Sequence, residues 1–340
     1  MRNVRVAIMD TGIADEISDD RIKKKIHFYY DYYENKVMID ENATDYNGHG
    51  TMCVNTIWSQ FSKVDIYVVK ILNISGMSNY KIFIEALKYV NTLDVDIVAV
   101  CASCISGAAS KEVESICKMI FESGKYIIAS VENGKETSPI ANYESVIGVS
   151  GQCISDDKYY FFENEEIQMR CSSEATIIRG KRNVRCVFQG NSRATAVAVG
   201  LISKFLYEKQ KDISLIDKIR QKKSKYVFVN EKLVFPYENV NYHEFEVDKE
   251  LYYVENDRLY QQFIYLLCEF FVCESPNLIR RACLLDYDNN RLVRYIEDVL
   301  RFIEDRFCVK IENIKIGELQ WAYLFYEKYL RMGSKRDGLE

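Results

Sequence analysis

Residues 4–12 read Val-Arg-Val-Ala-Ile-Met-Asp-Thr-Gly, a short apolar run rich in β-branched residues that stops at an aspartate and a glycine. The composition of 4–9 suits a strand, and Gly12 lets the chain turn sharply after the aspartate. On either side of this stretch, further strands are expected at 64–71, 95–101, 126–131 and 145–150, and helices at 50–60, 79–92, 109–123 and 192–209. In the helix at 79–92, Ile82, Phe83, Ala86, Leu87 and Val90 recur at spacings of three and four, one apolar stripe that can lie on a sheet. The run after Asp96 is instead continuously apolar, as in a strand covered on both faces. Short strands alternating with amphipathic helices predict an α/β domain, a parallel sheet flanked by helices, over residues 1–210.

Beyond about 210 the texture changes. Residues 211–255 begin with a charged stretch and pass into short extended pieces around Pro236, which predicts a linker or an edge hairpin. From 256 to 332 the helical period returns, with Leu259, Phe263, Ile264, Leu267 and Phe270 on one face and Leu292, Tyr295, Ile296, Val299 and Phe302 on another. A small all-α domain is expected there, with 333–340 as a tail.

Of the 340 residues, 48% are hydrophobic and 28% charged, ample apolar material for two packed cores. A net charge of -5 gives no electrostatic reason to expect a nucleic-acid or anionic-membrane partner, and Lys23-Lys24-Lys25 reads as a solvated face. No apolar run reaches the ~20 residues of a membrane span. The eleven cysteines are odd in number and irregularly spaced, which favours a reducing compartment over a disulfide scaffold. With a strand starting at residue 4 and no room for a signal peptide or pro-segment before it, the expected location is the cytoplasm. Cys101-Ala102-Ser103-Cys104 has the gap of a metal or redox pair, but no second pair stands at ligand spacing and the chain has only three histidines. No metal, calcium included, and no cofactor is expected.

Three motifs carry chemistry: Ile8-Met9-Asp10-Thr11-Gly12, Asn47-Gly48-His49-Gly50-Thr51 and Gly190-Asn191-Ser192-Arg193-Ala194-Thr195-Ala196. Each alone also fits a plainer reading: Asp10 as a turn residue or cap, His49 as a loop histidine, Ser192 as a helix N-cap. Together they match a chemistry that needs all three. A serine hydroxyl is a poor nucleophile until a histidine takes its proton, and the histidine needs a carboxylate to fix its tautomer and stabilise its charge.

The order Asp, His, Ser, each in its own local motif, resembles the subtilisin-like serine peptidases over about residues 1–210. The resemblance implies a triad of Asp10, His49 and Ser192, and a peptide or unfolded-protein substrate. It also implies Asn133, at the end of the 126–134 stretch, as an oxyanion donor, although Asn133-Gly134 equally suits a turn. Gly76, Met77 and Ser78 fall where that family pairs substrate backbone as an extra strand. Cys101, Ala102 and Ser103, with Glu132, fall at the specificity pocket, where Glu132 would favour a basic substrate side chain. The chain departs from the family at Asn191 (usually Thr), Ala196 (usually Pro), Glu132 (usually Gly) and 101–104. These departures support a rival reading, a pseudo-peptidase that binds peptides as a scaffold in a biosynthetic complex. An esterase or acyl transferase would use the same oxyanion chemistry.

Residues 256–330 weakly resemble an acyl- or peptidyl-carrier domain, with Leu285-Asp286-Tyr287-Asp288-Asn289-Asn290 leading into a charged helix. Asp288, Asn289 and Asn290 stand where carriers have the serine that bears phosphopantetheine, so the module is expected to act as an adaptor for a biosynthetic partner protein. A generic helical bundle fits equally, with Trp321, Tyr323, Phe325 and Tyr326 in its core. The expected activity is intracellular serine endopeptidase, with maturation of a ribosomally made peptide as one context.

Overall fold

The first strand, β1 (Val4–Asp10), lies inside the sheet with neighbours on both sides. Its alternate residues go to opposite faces: Val6 and Ile8 join one apolar core, Ala7 and Met9 the other. The structure, a computed structural model, describes residues 2–101, 110–162, 165–208, 215–223, 227–229, 232–234, 257–271, 291–319 and 322–331. Among these the chain forms two compact units, Met1–Pro236 and Tyr237–Glu340, taken separately below.

The first unit is built on a nine-stranded sheet. Besides β1 it contains β2 (Ile22–Asp31), β3 (Lys36–Asp40), β4 (Val64–Lys70), β5 (Ile97–Val100), β6 (Tyr126–Ser130), β7 (Val146–Gln152), β8 (Tyr159–Phe161) and β9 (Met169–Ser172), in the order β3-β2-β4-β1-β5-β6-β7-β9-β8. The seven inner strands are parallel, and β3 and β8 close the edges antiparallel. Helices α1 (His49–Gln60) and α4 (Asn191–Tyr207) share a core with Val6, Ile8, Val64 and Ile66, while α2 (Tyr80–Thr92) and α3 (Lys111–Glu122) cover Ala7, Met9 and Val98. The short α5 (Leu215–Lys222) adds Leu215 and Ile219 to the α1–α4 core. Asn79 and Ser110 cap α2 and α3, accepting from Ile82 and Val113 N–H.

The chain runs from β1 out to one side of the sheet, through β2, β3 and β4, and then crosses to β5 on the other side. The carboxyl end of β1 is therefore the point where the strand order reverses, which is where open α/β sheets place their sites. Asp10 is the last residue of β1.

All five expected strands and four expected helices are present, with ends differing by up to two residues. The β2–β3 pair was not expected. Lys23-Lys24-Lys25 belongs to a ten-residue strand whose core contact comes from Ile26 and Phe28, so the basic run is the exposed start of a real strand. The segment at Val227–Val229 and Lys232–Val234 is an antiparallel hairpin.

In the second unit, helix α6 (Arg258–Phe271) buries Tyr260, Phe263, Ile264 and Leu267, and α7 (Arg291–Phe307) buries Val299, Leu300 and Ile303. A last helix, Ala322–Phe325, continues into the π-helical turn Tyr326–Arg331. Phe263 stacks on Phe325 with centroids 5.7 Å apart. Asp257 caps α6 through Leu259 and Tyr260 N–H and accepts the Tyr326 hydroxyl at 2.8 Å. Tyr323, Phe325 and Tyr326 are thus core residues, and a two-residue strand, Ile314–Lys315, interrupts the helical pattern. Leu285–Asn290, Trp321 and the 333–340 tail lie outside the described residues, as does most of 211–255. Among the described residues no helix is long and apolar enough to cross a membrane.

Candidate active site

Two loops lock together to bring Asp10 against His49. After Asp10 the chain turns at Gly12, whose φ of +116° favours glycine and whose Cβ would fall 2.2 Å from the Ala43 carbonyl oxygen. Gly50, the residue after His49, has equally little room, a Cβ there falling 2.4 Å from the Gly12 carbonyl oxygen. Thr11 Oγ1 accepts Gly50 N–H at 2.8 Å, and Thr51 Oγ1 accepts Ala14 N–H at 3.0 Å. Gly12→Ala is therefore expected to destabilise the first unit by about 3 kcal/mol, a fall in Tm of roughly 6–12 °C. Thermal unfolding of the full chain checks this, and a Tm within 2 °C (about 1 kcal/mol) of wild type would contradict it.

Asp45 holds the histidine loop. Its carboxylate, 3% exposed, accepts from Asn47 N–H at 3.0 Å, Gly48 N–H at 2.7 Å, Thr51 N–H at 2.9 Å and Thr51 Oγ1 at 2.7 Å. Burial is the largest single influence on Asp45 and pushes its pKa up, but these hydrogen bonds together outweigh it and hold the group below the usual carboxylate range. Asp45 was not among the expected site residues, although an aspartate three residues before a glycine at a helix start is itself a loop-closing signal.

His49 Nδ1 lies 2.8 Å from Asp10 Oδ1, which also accepts Thr11 N–H at 2.7 Å. The Asp10 side chain is 1% exposed and that of His49 is 27% exposed, so the carboxylate is shielded while the imidazole remains reachable. Burial is the strongest single influence on His49 and disfavours its imidazolium. The charge and hydrogen bond of Asp10, helped by the charge of Asp45, outweigh it and raise the His49 pKa above its ordinary 6.5.

Ser192 is the second residue of α4 and half-buried. Two contacts set the direction of α1 relative to the chain around Ser192. The His49 ring meets Phe188, four residues before Ser192, edge to face at 5.5 Å. Gly200 lies so close to α1 that its Cβ would meet Gln60 Cβ at 2.4 Å. The start of α1 thus lies beside a residue just before α4, and its last residue beside the middle of α4, so the two helices run the same way with His49 and Ser192 each at its start. Among the described residues the Ser192 hydroxyl makes no hydrogen bond.

Asn133 reaches the same helix start: its Oδ1 accepts Asn191 N–H at 3.0 Å. Its amide nitrogen donates to no described residue, and the Ser192 N–H is one of the first-turn donors that a helix leaves free. Asn191 anchors this corner. Its Nδ2 donates to the Val131 and Glu132 carbonyls at 3.1 and 3.3 Å, and its Oδ1 accepts Gly151 N–H at 2.7 Å. Arg193 is 2% exposed and donates to Ser172 O and Oγ, both at 3.1 Å, and to Asp156 Oδ2 at 2.7 Å.

The expected substrate-binding residues are less well gathered. Gly76 takes φ +72° in a turn closed by Asn73, and Ser78 just after it is in a β-bridge. Only Met77, which is exposed, and Ser78 follow the turn. That loop is tied to the histidine loop by Asn47 Nδ2 donating to the Ile74 carbonyl at 2.9 Å. Cys101 is fully buried in the core that α1 and α4 share, its sulfur within 4.8 Å of Cys53 Sγ and an Asp10 carboxylate oxygen. Ala102 and Ser103 lie outside the described residues. Glu132 offers its carbonyl to Asn191, while a cavity of about 540 Å³ next to Asn191 is lined by Glu136, Glu165 and Glu166 with Lys135 and Arg170.

The model described as the subtilase family matches residues 1–212. The chain is similar to Subtilisin DY of Bacillus licheniformis, 25% identical over 162 residues that cover 43% of this chain and 56% of that protein. It is 28% identical to Proteinase R of Parengyodontium album over 171 residues, 47% of this chain and 41% of that one. With the Major intracellular serine protease of Bacillus subtilis (strain 168) it shares 24% identity over 191 residues, 51% of this chain and 59% of the relative. The matched stretch thus spans about half the length of these curated relatives.

Proposed function

The chain belongs to the subtilase family through residues 1–212, and on that premise we propose that it is a serine endopeptidase with Ser192 as nucleophile, His49 as general base and Asp10 as its orienting carboxylate. The observation that carries this reading is the 2.8 Å contact between His49 Nδ1 and a buried Asp10, at the helix end where Ser192 opens. Asp10 fixes the proton on Nδ1, leaving Nε2 as the acceptor. The Ser192 hydroxyl gives its proton to Nε2 as Oγ attacks a peptide carbonyl, and the developing oxyanion is met by the Ser192 N–H and the Asn133 amide. The imidazolium then protonates the leaving amine, and water releases the acyl group by the reverse sequence.

The substrate is a peptide or unfolded segment. The cavity beside Asn191 holds Glu136 and Glu166 with Lys135, besides Glu165 paired with Arg170, and this surplus of carboxylates, added to Glu132, supports a preference for a basic side chain. A peptide-library profile without enrichment of Lys or Arg at any position would contradict that preference. We propose further that the client is a dedicated one, such as a ribosomally made peptide matured inside the cell, with the second unit as the platform for a partner protein.

The scaffold reading rests on the departures at Asn191, Ala196 and Glu132. Asn191 has a use in a working site, since its amide ties the oxyanion loop to β7 and to α4. Asn191→Ala is expected to lower kcat about 10- to 100-fold with KM little changed, because positioning is lost and binding is not. Asn133→Ala is expected to cost about 10²- to 10³-fold in kcat. Steady-state kinetics check both, and wild-type kcat in either variant would remove that residue from the site. The direct test of the function is incubation of the full chain with an unfolded protein, with mass spectrometry of the products. Internal cleavages support an endopeptidase, and an uncut substrate contradicts it.

A further inference from the structure

The hairpin that ends just before the Ser192 motif carries charges that no step of the proposed reaction uses. Its strands, β10 (Thr176–Arg179) and β11 (Arg185–Phe188), pair antiparallel. At the end of β11, Phe188 meets the His49 ring edge to face. The turn of the hairpin lies on the histidine loop. Lys181 Nζ donates to the Tyr46 carbonyl at 2.7 Å, and a Cβ on Gly48 would fall 3.7 Å from Lys181 Cγ and 3.8 Å from its backbone nitrogen. Lys181 is thus fixed against the residue that precedes His49.

The turn itself is one that its sequence does not favour. Val184 N–H donates to the Lys181 carbonyl at 3.2 Å and Gly180 N–H to the Val184 carbonyl at 2.8 Å, which leaves Arg182 and Asn183 as the central pair. Both take φ +56°, as in a type I′ turn, for which Asn-Gly is a favoured sequence. Asparagine tolerates that conformation, but a long side chain is strained in it. Strain held beside a site is the mark of a side chain with a use there. Lys181 and Arg182 are both exposed, and among the described residues neither makes an ion pair. No acidic residue falls between Thr176 and Gly190, in a chain whose net charge is -5.

The proposed mechanism gives this edge its direction. His49 hands its proton to the leaving amine, so the segment that departs begins at His49, the residue that the hairpin borders through Phe188 and Lys181. An extended segment advances about 3.3 Å per residue, which brings its first few residues within reach of side chains as long as Lys181 and Arg182. We propose that Lys181 and Arg182 are specificity-determining residues that bind a carboxylate on the departing segment, so that the chain prefers substrates with an acidic group shortly after the cleaved bond. This inference rests on the peptidase reading for where the carboxylate lies along the substrate. The binding of a carboxylate rests on the hairpin alone.

The test of binding uses full-length Ser192→Ala protein and fluorescent alanine peptides that end in Glu-Glu, Gln-Gln or Lys-Lys, all amidated, with affinities read by anisotropy. At low salt the Glu-Glu peptide is expected to bind about three- to ten-fold tighter than the Gln-Gln peptide and the Lys-Lys peptide weakest, with the differences shrinking in about 0.5 M salt. Adding Lys181→Gln and Arg182→Gly is expected to bring the Glu-Glu and Gln-Gln affinities within two-fold of each other. Glycine suits the turn, so Tm should not fall, and the loss is then one of recognition. Equal affinities, no binding of any peptide, or a preference that both substitutions leave intact would overturn the proposal. An all-alanine peptide with a free terminal carboxylate, compared with its amide, separates the two sources of the group: tighter binding of the free acid supports a chain end, and no difference supports an acidic side chain. Cleavage of a peptide library by the wild type then reads the position. Enrichment of Asp or Glu after the cleaved bond supports the proposal, and enrichment only before it would overturn it. Fluorophosphonate labelling of the wild type checks the peptidase reading separately. If no labelling occurs that reading fails, and the affinities still decide whether the hairpin binds a carboxylate.

Discussion

Replacing Ser192 by Ala is expected to lower the rate of peptide hydrolysis on the order of 10⁶-fold while leaving the fold intact. The loss is this large because the hydroxyl is the only group proposed to form the covalent intermediate. His49 and Asp10 then have nothing to activate, and the Ser192 N–H and Asn133 amide support only a residual rate. The substitution removes a single oxygen from a half-buried position where it makes no hydrogen bond to a described residue, so Tm should move little. Initial rates on one cleaved peptide, together with thermal unfolding of both proteins, check this. A variant that keeps more than about a thousandth of the wild-type rate would contradict the assignment.

Asp10→Asn is expected to lower kcat about 10⁴-fold. The amide keeps the shape of the carboxylate, but it no longer holds the Nδ1 tautomer or stabilises the imidazolium. The same variant has a signature in pH. Neutral His49 is the form that accepts the Ser192 proton, so kcat/KM falls as pH drops through the His49 pKa. In the wild type that pKa is raised above 6.5 because Asp10 and Asp45 outweigh burial. Without the Asp10 charge, burial faces only the weaker pull of Asp45, and the acid limb moves to lower pH. A pH–rate profile of the residual activity reads the shift, and a limb that stays in place or rises would contradict the role given to Asp10.

Much of the first unit was legible because its local signals agree with one another. Val4 to Asp10 reads as a strand by composition, alternates between two cores and ends where the strand order reverses. The helix at Ile82 to Val90 carries its stripe in plain view. The β2–β3 pair was hidden because Lys23-Lys24-Lys25 looks like solvent-facing sequence, while the residues that hold the strand, Ile26 and Phe28, give only a short alternation.

Asp10, His49, Ser192 and Asn133 stood out through motif order, since each falls in a short stretch shaped by glycine. Their supports did not, because they act across the chain. Arg193 reads as an ordinary polar helix residue until Asp156 and Ser172 are found around it, and Asn191 reads as a departure until its amide is traced to Val131, Glu132 and Gly151. Cys53 and Cys101 share no local pattern and meet only because α1 packs on the face of β1 and β5.

The serine peptidase assignment meets its sharpest test in reaction of the full chain with a fluorophosphonate at neutral pH, followed by mapping of the adduct in proteolytic fragments. One adduct per chain is expected, on Ser192, formed faster as pH rises through the His49 pKa and lost in Ser192→Ala. A folded chain that stays unmodified, or that carries the adduct on another residue, would contradict it.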